Sequence, residues 1–179
     1  MNLCPRAFLI ALLLLPACAF AQQPTPPTPQ PASEAQQPAP EFLLKAPLVD
    51  LAGKPATLAQ FHGQPLIINF WARWCGPCHT EIPGIVAQYP RAQSAGVQVV
   101  GVALDDKPDA VRDFATAYDI NYSVLLIKDQ GPALLQQLGN EQAGLPYTLV
   151  IDRNGQIVMH KLGAMSRAEM EQAFQAASK

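Results

Sequence analysis

One short stretch constrains the fold of this chain more than any other. The apolar run Leu66-Ile67-Ile68 continues through Asn69-Phe70-Trp71, and the tetrapeptide Cys75-Gly76-Pro77-Cys78 follows after three more residues. The run is typical of a strand that is buried on both faces of a sheet. Pro77 suits the first turn of a helix, where its missing N–H costs little. The stretch therefore predicts a strand followed by a helix that begins near the cysteine pair.

The other elements are predicted from turn signals and from the spacing of apolar residues. The first are a hairpin over Leu48 to Leu58 around Gly53 and a helix from near Cys75 to about Tyr89 with a kink or break at Pro83. A strand from Val97 to Ala103, a helix capped by Asp106, a short strand from Tyr122 to Ile127 and a short helix from Pro132 to Leu138 follow. The last are a hairpin of Tyr147 to Ile151 with Gln156 to Met159 and a helix that begins with a capping box of Ser166 and Glu169. This order predicts an α/β fold with a mixed central sheet flanked by helices.

The positions of the 4 cysteines indicate more about the class of protein than their number does. Cys4 and Cys18 lie in the first 21 residues, whereas Cys75 and Cys78 form a lone pair further along the chain. This distribution does not fit a small domain held together by several disulfides. The net charge of −2 also excludes a nucleic-acid binder that relies on bulk positive charge. We therefore expect no nucleic-acid partner.

Residues 1–21 have the pattern of a secretory signal peptide. Arg6 precedes an apolar core from Ala7 to Leu15, and small residues follow in Ala19-Phe20-Ala21. The core holds 9 residues, against the ~20 that a membrane-spanning helix needs. Cleavage after Ala21 is the preferred expectation. A lipoprotein box at Leu15-Pro16-Ala17-Cys18 is the alternative processing site, and it would tether the protein to a membrane through Cys18. Either processing site implies export. An uncleaved membrane anchor is a further alternative.

Residues 22–41 contain 7 of the 18 prolines and almost no bulky apolar side chain. Such a segment buries too little surface to offset the loss of chain entropy. We expect a disordered, semi-rigid linker that reaches ~60 Å at ~3.1 Å per residue. The 138 residues from 42 to 179 match one domain in size.

The cysteine pair is the part of the chain that carries chemistry. Free N–H groups and the helix dipole stabilise a thiolate at a helix N-terminus, so we expect Cys75 to be the exposed nucleophile. Cys78, one turn further on, is placed to attack a mixed disulfide of Cys75 and release the substrate. A static disulfide and half of a zinc site are the alternatives. His62, His79 and His160 lack ligand spacing, so we expect no metal and no other cofactor.

The run Asn69-Phe70-Trp71-Ala72-Arg73-Trp74-Cys75-Gly76-Pro77-Cys78 resembles the thioredoxin superfamily, and more narrowly the secreted thiol–disulfide reductases of the TlpA and ResA type. The hairpin from Leu48 to Leu58 is similar to that family's N-terminal addition. The segment Gly144-Leu145-Pro146-Tyr147-Thr148 resembles its cis-proline loop, and residues 149–155 resemble the following strand and turn. The resemblance covers about residues 42–179.

The resemblance implies a thioredoxin-like fold with an N-terminal β-hairpin, and it also implies several site residues. Pro146 would be cis and would face the cysteine pair, where it offers a backbone edge to the substrate. The substrate contacts that it implies are Trp74, Gly76, Pro77, Leu145 and Pro146. Trp71 is expected in the core, His62 and His160 are expected to be structural, and His79 either tunes the thiolate or lies on the surface.

Glu81 is the expected proton acceptor and donor for Cys78, because residues three apart share a helix face. It matches the acidic residue that ResA-type proteins place near their cysteines, and a solvated surface carboxylate is the alternative. Asn69 stands where thioredoxin itself has a buried acid. Since an amide does not titrate, proton handling would fall on Glu81, water or the substrate.

The resemblance implies an enzyme, a protein-disulfide reductase of the periplasm. Gly76-Pro77 is the dipeptide of thioredoxin, whose potential of ~−270 mV is far from the ~−120 mV of the oxidant DsbA. The substrates that it implies are disulfides of exported proteins, such as apocytochrome c and metal-centre assembly factors. The implied electron donor is a membrane protein of the DsbD or CcdA type, and a monomer is expected.

Three other functions remain open. The protein could be a thiol oxidant, since thiol–disulfide exchange runs in either direction. A peroxiredoxin-like peroxidase is less well supported, because the Pro-x-x-x-Ser/Thr-x-x-Cys pattern is missing before Cys75. A Cu(I)-binding delivery module could use the two thiolates as soft ligands.

Overall fold

The structure, a computed structural model, describes residues 37–105 and 107–179. The predicted signal peptide with Cys4 and Cys18, the linker up to residue 36 and the predicted helix cap Asp106 lie outside the described residues.

Within the described residues, eight strands form one mixed sheet. In chain order they are β1 (Gln37–Pro38), β2 (Leu48–Asp50), β3 (Pro55–Ala56), β4 (Leu66–Trp71), β5 (Gln98–Leu104), β6 (Ser123–Ile127), β7 (Tyr147–Ile151) and β8 (Gln156–Leu162). Their order across the sheet is β1-β8-β7-β4-β5-β6-β2-β3. The pairs β4–β5 and β5–β6 are parallel, and the others are antiparallel. The predicted mixed sheet with an added N-terminal hairpin, β2–β3, is confirmed.

Helices cover both faces of this sheet. They are α1 (Glu41–Leu44), α2 (Gly76–Ser94), α3 (Pro108–Ala117), α4 (Gly131–Gln137) and α5 (Arg167–Ala177), with a short 3-10 helix at Leu58–Phe61. β4 is buried along its whole length, as its apolar run predicts. One part of the core packs around Phe70 and Val100, and the part on the α2 side packs around Ile67 and Trp71. No helix among the residues described has both the length and the apolar character needed to cross a bilayer.

α2 is longer than predicted and contains both Pro83 and Pro90. The predicted end near Tyr89 is therefore wrong by five residues. Each proline removes one backbone hydrogen bond, but the buried face of the helix continues past Pro90 to Ala92, which is packed in the core. The packing of this face outweighs the local preference of proline to end a helix.

Two helix starts bear on the predicted caps. Lys107 is the N-cap of α3 and makes no side-chain cap bond, and the cap predicted at Asp106 falls outside the described residues. At α5 the predicted capping box is confirmed. Ser166 Oγ accepts from the backbone N–H of Glu169 at 3.3 Å, and the Glu169 carboxylate accepts from the backbone N–H of Ser166 at 2.8 Å.

The domain begins before the predicted boundary at Phe42. Gln37 and Pro38 pair with Ile157 and Gln156 of β8, and the backbone N–H of Ala39 donates to the carbonyl of Gly155 at 2.8 Å. Residues 37–41, the last part of the predicted linker, therefore belong to the folded part. Backbone hydrogen bonds hold this segment against β8. Because such bonds need no apolar side chains, the sequence of the segment shows no hydrophobic pattern that would predict them.

Candidate redox site

The cysteine pair lies at the carboxyl end of β4, where α2 begins. Cys75 is the N-cap of α2, and its backbone N–H donates to the carbonyl of Ala72 at 3.1 Å in the loop that joins strand and helix. Cys75 and Cys78 form a disulfide. The backbone N–H of Cys78 donates to Cys75 Sγ at 3.3 Å. The same N–H also donates to the backbone carbonyl of Cys75 at 3.1 Å. An N–H of the first helical turn that is directed at this sulfur stabilises a thiolate.

Cys75 is less exposed than predicted, since only 3% of its surface is accessible while Cys78 is fully buried. The reason is the disulfide, which holds the Cys75 sulfur against the buried sulfur of Cys78. The residues next to the two cysteines are exposed to solvent: Trp74 is 74% exposed, and Gly76 and Pro77 are also exposed. Access to the disulfide is therefore from the side of Trp74 and Cys75.

Arg73, just before Trp74, is held by an ion pair with Asp105, which directly follows β5. Arg73 Nε donates to Asp105 Oδ2 at 2.7 Å, and Nη2 donates to Oδ1 at 3.2 Å. The pair joins the loops at the carboxyl ends of the two parallel strands β4 and β5. A surface groove of about 320 Å³ runs beside it, and its walls include Trp74, Lys128 and Pro132.

His79 is half-buried and contacts both the active-site loop and α3. Its Nε2 lies 2.7 Å from the backbone carbonyl oxygen of Arg73. Because a carbonyl oxygen only accepts, Nε2 carries the hydrogen in this bond. The ring also packs against Phe114 and Tyr118, with centroid distances of 5.2 and 5.4 Å. His79 is therefore a structural contact of the loop, so the surface position that the sequence offered as one alternative is wrong.

The loop before β7 approaches the cysteine pair. The Leu145–Pro146 peptide is cis, and Leu145 packs against the buried cluster that contains Cys75 and Cys78. Asn140 fixes the loop because its side chain donates to the carbonyl of Gly144 at 2.8 Å and accepts from the N–H of Gly144 at 3.0 Å. Through Leu145, this loop thus packs against the same buried cluster as the cysteine pair.

Glu81 is buried in the second turn of α2 and is only 3% exposed, so the surface-carboxylate alternative is wrong. Its Oε2 accepts from Asn69 Nδ2 at 2.8 Å, and its Oε1 accepts from the backbone N–H of Met165 at 2.7 Å. Burial raises the pKa of Glu81, while these two hydrogen bonds oppose the increase. A cleft of about 340 Å³, lined also by Thr80, Gly84 and Met170, reaches this carboxyl group.

Asn69 and Tyr122 are buried polar neighbours of Glu81. Among the residues described, the buried polar side-chain atoms without a hydrogen-bond partner are Asn69 Oδ1, Trp71 Nε1 and the Tyr122 hydroxyl. Burial, with the nearby Glu81 carboxylate as a second cause, raises the pKa of Tyr122 and keeps its hydroxyl neutral. Trp71 also stacks on Phe114 at a centroid distance of 4.9 Å, which confirms the predicted core position.

The sequence did not identify Thr148, Asp105 or the backbone of Met165 as neighbours of the site. Asp105 carries a usable signal, because a charged residue at the carboxyl end of a parallel strand lies at the edge where sites form. Thr148 and Met165 reach the site through tertiary packing alone and leave no local pattern. Among residues 37–105 and 107–179, no three His, Cys, Asp or Glu side chains group as metal ligands do.

Comparisons with known proteins agree with this geometry. The AhpC/TSA family matches residues 35–160. The thiol-disulfide oxidoreductase ResA of Bacillus subtilis (strain 168) is 33% identical over 131 residues, which are 73% of this chain and 68% of that protein. A thiol:disulfide interchange protein of the thioredoxin family from Chlorobium tepidum TLS has a crystal structure with a TM-score of 0.66 and 28% identity, covering 80% of this chain and 98% of that one.

A secreted disulfide oxidoreductase of Mycobacterium tuberculosis shares the fold, with a TM-score of 0.60 and 22% identity over 76% of this chain and 99% of that one. The family match covers most of the folded part, and the thiol chemistry of the relatives fits a cysteine pair at a helix N-terminus. This chain therefore belongs to the AhpC/TSA family of thioredoxin-like proteins and is a ResA-type thiol–disulfide oxidoreductase with Cys75 and Cys78 as its redox pair.

Proposed function

We propose that the protein works as an exported reductase of disulfides in other exported proteins. The observation that carries this proposal is the order of burial at the site. Cys75 keeps 3% of its surface exposed beside the open rim of Trp74, Gly76 and Pro77, whereas Cys78 is fully buried. Cys75 is therefore the sulfur that a substrate disulfide meets first, and Cys78 is left to resolve the mixed disulfide.

The exchange proceeds in two steps. The Cys75 thiolate attacks one sulfur of the substrate disulfide, and the other substrate sulfur leaves as a thiolate. Cys78 then attacks Cys75 Sγ, so that the second substrate sulfur leaves and the Cys75–Cys78 disulfide forms. Two electrons pass to the substrate, and Glu81 accepts the proton that Cys78 loses before its attack. The burial of Glu81 supports this role, because it raises the pKa of the carboxyl group and so makes it a better proton acceptor.

Substrate contacts are proposed at Trp74, Gly76, Pro77, Leu145 and Pro146. The first three form the exposed rim of the pair. The loop of Leu145 and Pro146 packs beside the pair and offers backbone groups to an extended chain. The groove next to Trp74 extends this surface.

The direction of electron flow rests on the Gly76-Pro77 dipeptide, which favours a low potential near the ~−270 mV of thioredoxin. A reductant in the periplasm must be recharged, and a membrane donor of the DsbD or CcdA type fits that need. Apocytochrome c and metal-centre assembly factors are the proposed substrates. We also propose that the signal peptide exports the protein, with a membrane tether at Cys18 as the alternative. The exported protein is proposed to be a monomer.

The equilibrium reduction potential of the Cys75–Cys78 pair tests the direction. The protein is equilibrated in dithiothreitol buffers, and the fraction of free thiols is measured. We expect a value near −270 mV, about that of thioredoxin. A value above about −150 mV would make the protein an oxidant.

A further inference from the structure

Asn69 is a polar residue at the centre of an otherwise apolar strand, and it is 0% exposed. Both hydrogens of its amide group are used: Nδ2 donates to Glu81 Oε2 at 2.8 Å and to Thr148 Oγ1 at 3.0 Å. Thr148 is the residue directly opposite Asn69 in the β4–β7 pair. The amide oxygen Oδ1 has no partner in the described part of the chain. A buried acceptor without a partner is destabilising, so the arrangement requires an explanation.

All the hydrogen bonds of Glu81 suit its ionised form. The amide of Asn69 and the backbone N–H of Met165 are both donors, and a carboxylate accepts from both. A protonated carboxyl group has one O–H that must donate. Neither of the two present partners offers it an acceptor in this orientation. The unpartnered Oδ1 is an acceptor on a residue that already contacts Glu81.

We propose that Asn69 and Thr148 form a hydrogen-bond switch that follows the protonation of Glu81. A half turn of the Asn69 amide about χ2 exchanges the positions of Nδ2 and Oδ1. Oδ1 then lies between Glu81 and Thr148, accepting from the carboxyl O–H of Glu81 and from the hydroxyl of Thr148. A hydroxyl both donates and accepts, so Thr148 serves both orientations. Glu81 and Thr148 therefore have partners whether Glu81 is charged or neutral, while the unpartnered position of the Asn69 amide is occupied by Oδ1 in one orientation and by Nδ2 in the other.

This inference deepens the proton-transfer role of Glu81 and rests on the function proposed above. Asn69 and Thr148 are positioning residues, because they act through Glu81. An amide suits the task better than the carboxylate of an aspartate would. Two carboxylates at this distance would share one proton instead of holding Glu81 in either state.

The other charged groups near Glu81 keep a constant charge while Glu81 titrates. Glu169 of α5 and Lys161 of β8 form an ion pair at 2.7 Å, and hydrogen bonds from Lys161 and Ser166 lower the pKa of Glu169 to about 2. The Tyr122 hydroxyl remains neutral because its pKa is raised. In the oxidised protein the two cysteines do not titrate. A change in the Asn69 amide above pH 4 therefore reports on Glu81.

The test is an NMR titration of the full chain in its oxidised form. The carboxyl carbon of Glu81 and the side-chain NH2 group of Asn69 are followed over pH, and Glu81→Gln serves for assignment and as the control. We expect the Asn69 signals to shift with the same midpoint as Glu81 and to stay constant in Glu81→Gln. Asn69 signals that do not respond, or that respond equally in Glu81→Gln, would overturn the switch.

Variants separate the two partners. Asn69→Leu removes a hydrogen bond from the ionised carboxylate, so we expect the Glu81 midpoint to rise by about one pH unit. Thr148→Val should shift the Glu81 midpoint less, because it removes one hydrogen-bond partner of Asn69 from both orientations of the amide. Thr148→Ser keeps the hydroxyl and should return the midpoint to the wild-type value. If Asn69→Leu does not fold, Asn69→Asp replaces it, and two coupled carboxyl titrations are expected. An unchanged Glu81 midpoint in the folded variant would contradict the proposal. Thiol exchange plays no part in this titration, so a failed reductase assay would leave its result intact.

Discussion

The imidazole Nε2 of His79 lies 2.7 Å from the backbone carbonyl of Arg73, and this bond connects the first turns of α2 to the loop that carries Trp74 and Cys75. We expect His79→Phe, which keeps a ring against Phe114 but has no donor, to lower the free energy of unfolding by ~1 kcal/mol. His79→Gln keeps an N–H donor and should recover most of the loss. Urea unfolding of the oxidised proteins measures the free energy of unfolding of both variants and of the wild type. Equal stability of His79→Phe and the wild type would show that the bond contributes nothing.

The two cysteines should fail in different ways. Cys75→Ser is expected to abolish disulfide reduction, because it removes the accessible nucleophile. Cys78→Ser should instead accumulate a mixed disulfide between Cys75 and the substrate, since the resolving thiol is missing. Non-reducing gels and mass spectrometry of the captured species distinguish the two. A mixed disulfide formed through Cys78 in the Cys75→Ser protein would invert the roles proposed here.

Glu81 should make stability depend on pH. Because burial raises its pKa in the folded state, the folded protein holds the proton more tightly than the unfolded chain does. Its contribution to stability is therefore complete below the ordinary pKa of 4.5 and is lost as pH rises through the higher folded-state pKa. We expect the wild type to lose stability relative to Glu81→Gln over this interval in urea unfolding at a series of pH values. Parallel curves for the two proteins would mean that the pKa is not raised.

The ion pair of Arg73 and Asp105 should be worth more than an exposed pair. The Asp105 side chain is almost fully buried, so Asp105→Asn is expected to cost ~2 kcal/mol of unfolding free energy. Asp109→Asn is the matched control, because Asp109 pairs with Arg112 on the surface. It should change stability by less than ~1 kcal/mol. Similar losses in both variants would argue against a special role for Asp105.

Trp74 should bind substrate rather than support the fold, since most of its ring is exposed. Trp74→Ala is expected to raise KM for a disulfide-bonded protein substrate roughly tenfold with little change in stability. Phe42→Ala, which truncates another exposed aromatic residue, is the control and should leave KM unchanged. Steady-state kinetics measure KM for both variants. An unchanged KM in Trp74→Ala would show that Trp74 does not bind the substrate.

Sequence patterns predicted the parts of the fold that local chemistry determines. The apolar run of β4, the capping box of α5 and the Asn154-Gly155 turn between β7 and β8 are all in place. The cysteine pair could be placed at the start of α2 because a helix N-terminus and a proline at the first turn are local features.

The parts that sequence reasoning missed depend on contacts between distant segments. α2 continues past Pro90 because Ala92 is packed against other elements. Buried Glu81 accepts a hydrogen bond from the backbone N–H of Met165, which lies 84 residues away in the chain. The position of His79 against Arg73 and the cross-strand partner of Asn69 likewise require the sheet and helices to be assembled first.

The two ends of the sheet have a consequence for how other chains can approach it. Among the described residues, β1 and β3 are the outermost strands, each is two residues long, and each contains a proline, Pro38 or Pro55. Such short, proline-containing strands resist the addition of a further strand from another molecule. β1, however, pairs only with Gln156 and Ile157, so residues 158–162 of β8 have no strand on their outer side in the described part of the chain. This stretch is therefore the open edge of the sheet, along which the backbone of a second polypeptide can pair.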